Sequence, residues 1–251
     1  MPYPYKKVLM VGASSGIGHS LTTRILADTP DAHVVVVARR IEPLQALQQQ
    51  HGADRVTPVQ FDITKLDEIP QFTKEQRGFF FTRPETVDLT LFDTEMRTNF
   101  TAAAHLATAF LPHLLARPSP SSIIFTSSNL AVIPFPVAAA YSASKAALHA
   151  FTLSLRLQLE DTAVRVIELF PPAVQTELHD PRHQPHLAEG TKLGMPLDAF
   201  ADAAYVGLSA RREQVVVGAP EGLEAFEDWR QGWMRKFWAL VRAGKAGMKP
   251  F

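Results

Sequence analysis

Tyr141-Ser142-Ala143-Ser144-Lys145 sets a phenol and an ammonium four residues apart. At that step the two side chains lie one above the other on a single helix face. An ammonium beside a phenol favours the phenolate and lowers a pKa that is ordinarily about 10. A tyrosine tuned in that way can exchange a proton with an alcohol or carbonyl oxygen near neutral pH. The pair by itself recurs by chance on exposed helices, but two further features give it weight. The apolar run Ile123-Ile124-Phe125-Thr126-Ser127 is followed at once by Ser128, upstream of Tyr141. A glycine-rich turn, Gly12-Ala13-Ser14-Ser15-Gly16-Ile17-Gly18, follows the first apolar run of the chain.

These groups need a scaffold, and the rest of the chain supplies one. Apolar runs at 8–11, 33–38, 56–61, 122–127, 164–169 and 214–217 read as strands. They alternate with helical patterns at 17–27, 43–51, 95–116, 142–160, 197–210 and 224–241. Such alternation is the signature of βαβ units. It predicts an α/β fold with a doubly wound parallel sheet in three layers, one domain over 1–251. The four valines within 33–38 mark a strand buried on both faces. One element is missing from the pattern. A further apolar strand is expected between Asp62 and Asn99, yet 68–77 is too polar. The only candidate is Gly78-Phe79-Phe80-Phe81-Thr82.

In Gly12-x-x-x-Gly16-x-Gly18 each glycine has a physical task. The first turns the chain sharply out of the strand, the next lets backbone approach a pyrophosphate, and the last lets helix pack on strand. The pyrophosphate then sits on the helix N-terminus, where free N–H groups and the dipole favour an anion. Dinucleotide sites of the NAD type present an acid near the end of the second strand, for the ribose 2′-hydroxyl. Here Arg39 and Arg40 stand at that place instead. Guanidinium groups suit the 2′-phosphate of NADP(H).

Composition bounds the rest. The chain has 251 residues, 46% of them hydrophobic, enough for a sizeable core. Lys+Arg and Asp+Glu are both 25, so no net field draws the chain to nucleic acid or anionic membrane. There is no cysteine, which excludes disulfides and thiolate metal sites. The opening apolar run is too short for a signal-peptide core, and no stretch reaches membrane-spanning length, so a cytoplasmic protein without stable membrane insertion is expected. His179, His183 and His186 fall in a proline-rich loop without a carboxylate or cysteine to complete a metal set. No metal site is expected there; the loop reads as a mobile substrate loop. The last helix carries Phe226, Trp229, Trp233, Phe237 and Leu240 as an aromatic stripe. The stripe predicts packing on the chain's own core or on a partner subunit. No Gly-x-Ser-x-Gly elbow or hydrolase carboxylate pair occurs, which disfavours hydrolysis.

Taken together, these residues resemble the short-chain dehydrogenase/reductase family over nearly the whole chain. Gly12, Ser14, Ser15, Gly16, Ile17 and Gly18 are similar to its glycine motif, and Ser128, Tyr141 and Lys145 to its active-site serine, tyrosine and lysine. Asn99 resembles its helix asparagine and Asp62 its adenine-side aspartate. Val174 and Thr176 fall where the family meets the nicotinamide amide. The resemblance implies a Rossmann-type fold, with a substrate loop over 177–197 and a C-terminal helix over 224–242. It also implies an NADP-dependent interconversion of a small-molecule carbonyl and alcohol. Tyr141 would be the acid or base, Lys145 would lower its pKa and hold the nicotinamide ribose, and Ser128 would bind the substrate oxygen. Asn99 would hold a water linking Lys145 to solvent. A homodimer or homotetramer, paired through the two long helices that carry Asn99 and Tyr141, is implied as well. The chain departs from the family in the segment before Arg77-Gly78-Phe79, where a strand ending in Asn-(Asn/Ser)-(Ala/Ser)-Gly is absent. That absence opens two other readings: a catalytically impaired nucleotide-binding protein, or a non-enzymatic scaffold.

Overall fold

The computed structural model describes residues 3–64, 89–180 and 189–244. The candidate strand at 78–82, the segment Arg77-Gly78-Phe79, His183 and His186 lie outside the described residues. Within them the order is β1 (Lys7–Val11), α1 (Gly16–Asp28), β2 (His33–Ala38), α2 (Ile41–His51) and β3 (Val56–Gln60). Then come α3 (Leu89–Met96), α4 (Ala102–Leu115), β4 (Ser121–Thr126), α5 (Ala139–Gln158), β5 (Val164–Phe170), α6 (Leu197–Ser209), β6 (Gln214–Val216) and α7 (Leu223–Arg242).

The strands form two three-stranded parallel sheets, in the orders β1-β2-β3 and β4-β5-β6. Met10 stands opposite Val36 in the first and Ile124 opposite Ile167 in the second. Val34 and Val36 are fully buried, as a strand covered on both faces requires. One apolar core spans both sheets, joining Val34 and Val36 to Ile167 and Leu169 beneath α1, α2 and α6. A second cluster, built on Phe125, Leu148, Leu155 and Val166, fills the space under α4 and α5. The result is the three-layer, doubly wound arrangement that the alternating pattern predicts.

Among the described residues β1 pairs with β2 alone and β4 with β5 alone. The family resemblance implies that the additional strand lies at this join, beside β1. Leu9 and Val11 on β1 are 43% and 36% exposed, a large exposure for apolar residues of a strand expected at the middle of a sheet.

Two elements differ from the sequence expectation. The helix expected over 95–116 begins earlier, at Leu89, and is divided by a π turn over Arg97–Thr101 that carries Asn99. A π turn inserts one residue into the helical repeat, which periodicity does not resolve, and such turns occur frequently at functional sites. The other concerns the face of α7, where one of the two packings expected for the aromatic stripe, the chain's own core, is excluded. Phe226, Trp229, Trp233, Phe237 and Leu240 are all between 49% and 64% exposed, so the stripe does not pack on the chain's own core. The buried face of α7 instead carries Leu223, Glu227, Gln231 and Val241.

Polar bonds explain that choice of face. His149 on α5 bonds Glu168 Oε2 of β5 through Nδ1 at 2.8 Å and Glu227 Oε2 of α7 through Nε2 at 2.9 Å. All three side chains are almost wholly buried. Arg156, one helical face along, donates to Gln231 Oε1 at 3.3 Å and to the carbonyls of Val166 and Glu213 at 3.0 and 2.8 Å. Buried polar groups cost several kcal/mol when unpaired, so these positions of α7 must face inward whatever its aromatic content.

Burial disfavours the charge on His149, but the two carboxylates outweigh it and raise its pKa. Burial likewise disfavours the charge on Glu227, and His149 and Arg230 reverse that and lower its pKa. The imidazolium's contribution is full below its unfolded pKa of about 6.5 and fades as pH rises through the raised folded value. The carboxylate's contribution is present above about 4.3 and lost as pH falls through the lowered folded value. The trio should therefore stabilise most between about pH 4.3 and 6.5. Glu227→Ala is expected to cost about 3–5 kcal/mol within that window, as breaking a buried pair does. Urea denaturation across the pH range measures it.

Candidate active site

The glycine turn leaves β1 with Gly12 at φ +84° and Gly16 at φ +57°, the left-handed region that favours glycine. A Cβ on Gly18 would lie 2.3 Å from the Gly12 carbonyl oxygen, so the helix can pack this tightly only with glycine there. The turn is closed by Gly12 and Ala13 N–H groups donating to Val37 O. Ser14, Ser15 and Ile17 lie in or beside this turn, where α1 begins. A Cβ on Gly16 would come within 3.3 Å of Thr176 Cγ2, which places the loop after β5 against the glycine turn. In that loop Val174 is buried and bridges Met195, while Thr176 accepts the Leu178 N–H through its hydroxyl.

At the end of β3, Asp62 is buried. Its Oδ1 accepts the Thr64 N–H at 2.9 Å and the Thr64 hydroxyl at 2.8 Å, whereas its Oδ2 is buried without a partner. An orphaned carboxylate oxygen needs a donor, and an adenine amino group is one. At the end of β2, Arg40 is bound to Glu177 at 2.8 Å, and Arg39 stands half-buried beside it. The orphaned oxygen, the close helix–strand approach and the guanidinium pair all fit a dinucleotide with an adenine at one end.

Ser128 follows β4 and caps a 3-10 turn, accepting the Leu130 N–H at 3.1 Å. Its hydroxyl is also hydrogen-bonded to the Tyr141 phenol, which selects Ser128 over Ser127 as the partner of the tyrosine. Lys145 lies on the Tyr141 face of α5, its Nζ 5.7 Å from the ring centroid. Asn99, in the π turn, donates through Nδ2 to Ser144 Oγ at 3.0 Å, and Ser144 donates in turn to the Tyr141 carbonyl at 2.7 Å. The structure thus brings Asn99, Ser128, Tyr141 and Lys145 around one turn of α5.

The electrostatics differ from the expectation that Lys145 lowers the tyrosine pKa. Burial pushes the Tyr141 phenol up to about 12; the Ser128 hydrogen bond opposes this and the Glu95 carboxylate adds to it. Lys145 donates to the Thr126 carbonyl at 2.9 Å. Burial takes Lys145 down to about 8, against the pull of Glu95 and then Glu168. Desolvation outweighs the nearby cation. Glu95 is the residue the sequence analysis missed. Its only signal is its place four residues before Asn99, which is one helical turn.

An apolar cleft of about 350 Å³ lies nearby, lined by Leu130, Phe135, Ala139, Ser142, Ala143 and Ala146 among others. Residues 142, 143 and 146 occupy a different side of α5 from 141 and 145. His179 is buried in the 3-10 turn Glu177–His179, and no metal-holding group of His, Cys, Asp or Glu occurs among the described residues.

A short chain dehydrogenase family model matches residues 6–80 and 81–186. An uncharacterized oxidoreductase of Bacillus subtilis (strain 168), DltE, is 32% identical over 234 residues, covering 86% of this chain and 89% of that protein. Among solved structures, a short-chain dehydrogenase from Sphingobium yanoikuyae in complex with NADPH superposes with a TM-score of 0.76 at 24% identity, over 92% of this chain and 96% of that one. One from Burkholderia phymatum in complex with NAD superposes with a TM-score of 0.73 at 16% identity, over 100% and 98%. The fold is shared with both structures. Matched to the family model over most of its length, and similar to the Bacillus protein across nearly all of both chains, this protein belongs to the short-chain dehydrogenase family.

Proposed function

We propose that the chain is an NADP-dependent oxidoreductase that interconverts a carbonyl and a secondary alcohol on a small organic molecule. The observation that carries this reading is the Ser128–Tyr141 hydrogen bond with Lys145 on the same face of α5. A substrate oxygen beside Tyr141 would meet two hydroxyl donors. Because the phenol stays protonated at neutral pH, it is ready to donate to a carbonyl oxygen as the substrate is reduced. Lys145 can hold a ribose hydroxyl, and Asn99 anchors the helix from the π turn and can order a water toward Lys145. The nicotinamide supplies or accepts the hydride when bound.

NADP is favoured over NAD by Arg39 and Arg40 at the end of β2. Since Arg40 is engaged by Glu177, Arg39 is the better placed of the two for a 2′-phosphate. The neighbours of like fold include one with NADPH and one with NAD, so the arginines carry the argument. A cytoplasmic protein that pairs with a second copy through α4 and α5 is part of the same reading. Phe110 and Leu115 are exposed on α4, and no described helix is long and apolar enough to cross a membrane.

A second reading, a nucleotide-binding protein with impaired catalysis, is favoured by an edge of β1 that has no strand partner among the described residues and by the exposed Leu9 and Val11. Each buried ladder group without a partner costs about 1–3 kcal/mol. If a strand has been lost between Asp62 and Asn99, inserting one that ends in Asn-Ser-Gly before Arg77 should raise both the melting temperature and NADPH affinity. A cooperative melt, tight NADPH binding and carbonyl turnover in the chain as it stands would refute the impaired reading.

NADPH should bind more tightly than NADH, and Arg39→Ala should narrow the difference; fluorescence titrations give both dissociation constants. Equal affinities in the unaltered chain would overturn the NADP assignment. Tyr141→Phe should lower carbonyl reduction by about 10²–10⁴-fold while leaving NADPH binding nearly unchanged. Steady-state rates beside a binding titration separate the two effects, and retained turnover would place the proton donor elsewhere.

A further inference from the structure

Glu95 occupies the last turn of α3, four residues before Asn99, and is 8% exposed. Its Oε2 is buried and has no hydrogen-bond partner. A buried carboxylate without a partner is costly, and Glu is almost never found buried unless it is paired. Glutamine or leucine would fill the same space at less cost. The retained charge therefore calls for an account within the chemistry that surrounds it.

The groups that interact with it come from α5. Lys145 favours the charge on Glu95, while burial opposes it and pushes the carboxyl up to about 7. In return Glu95 is the leading influence that sustains the ammonium of Lys145, ahead of Glu168. Glu168, on β5, already has a counterion of its own, because His149 bonds it at 2.8 Å. Thr126, from β4, offers Lys145 only a carbonyl. From α5 itself, Tyr141 feels Glu95 as a charge that disfavours the phenolate. Glu95 and Lys145 form no direct ion pair, so the coupling acts at a distance, across the packing of α3 against α5.

We propose that Glu95 is a positioning residue that keeps Lys145 charged and Tyr141 protonated, and so fixes the alkaline limit of carbonyl reduction. This rests on the reading of Tyr141 and Lys145 as the reacting pair. The signs agree. An ionised Glu95 favours the ammonium over the amine and the phenol over the phenolate, and both are the forms that reduction uses. Neutralising Glu95 would release both protons at lower pH.

Glu95→Gln keeps the shape and removes the charge, and two measurements on the full chain read its effect. In lysine-labelled protein, with the Lys145 resonance assigned from Lys145→Arg, the side-chain NMR titration should show the Lys145 midpoint falling by about one pH unit in Glu95→Gln, the lower end of what a nearby opposite charge does. Glu95→Asp, which keeps the charge, should restore most of that shift. In NADPH-dependent reduction, the alkaline limb of kcat/KM should move to lower pH by the same amount, with the plateau rate nearly kept. A purely structural role for Glu95 would change the melting temperature and leave both midpoints in place. An unchanged Lys145 midpoint overturns the proposal. A shifted midpoint in a chain that reduces no carbonyl overturns the reductase reading and leaves the Glu95–Lys145 coupling standing. Should Glu95→Gln fail to fold, the same coupling read from the other side decides: Lys145 favours the Glu95 charge, so the Glu95 carboxyl should titrate at higher pH in Lys145→Met than in the unaltered chain, and an unchanged Glu95 midpoint overturns the proposal.

Discussion

The cost of taking charge out of water governs α5, and the rest of the molecule is arranged around α5. One side of that helix carries Tyr141 and Lys145, and further along it carries His149 and Arg156 into the core. None of these can be buried alone. His149 is met by Glu168 from β5 and Glu227 from α7, and Arg156 by Gln231 and two backbone carbonyls. Those bonds attach the C-terminal helix, lock the face it presents and fix the rotation of α5. The rotation of α5 in turn decides where the Tyr141 hydroxyl and the Lys145 ammonium point.

The same constraint separates the two halves of the site. Around Tyr141 and Lys145, desolvation dominates: the phenol is held protonated and the ammonium is weakened. Near the glycine turn, backbone geometry dominates. Positive φ at Gly12 and Gly16 aims the turn, and the absence of a side chain on Gly18 lets α1 pack close. The loop after β5 joins the halves, with Thr176 against the glycine turn, Gln175 hydrogen-bonded to Met195, and Glu177 against Arg40.

α7 illustrates a competition that composition alone misjudges. Burying its five exposed large apolar residues would contribute about 1.5–3 kcal/mol each by area. They remain outside while Glu227 and Gln231 face inward; turning the helix over would place those two in solvent and take from His149 and Arg156 their side-chain partners on α7. The face turned inward is the one whose polar side chains find buried partners.

The local chemistry of this chain was legible in its sequence. Four valines specify β2 because β-branched residues fit a strand covered on both faces, and the glycine spacing specifies a turn no other residue could make. The four-residue step fixes Tyr141 above Lys145, since helical geometry is local. What only the tertiary structure decided are quantities that depend on distant neighbours. Spacing to Tyr141 already singles out Ser128, but the hydrogen bond between the two is made only once the turn after β4 meets α5. The tyrosine pKa rises instead of falling because burial, a property of the whole fold, outweighs a lysine aimed at Thr126. Glu95, one helical turn before Asn99, reads in the sequence as an ordinary helix glutamate. Packing of α3 against α5 buries it near Lys145, a relation that no spacing along the chain encodes.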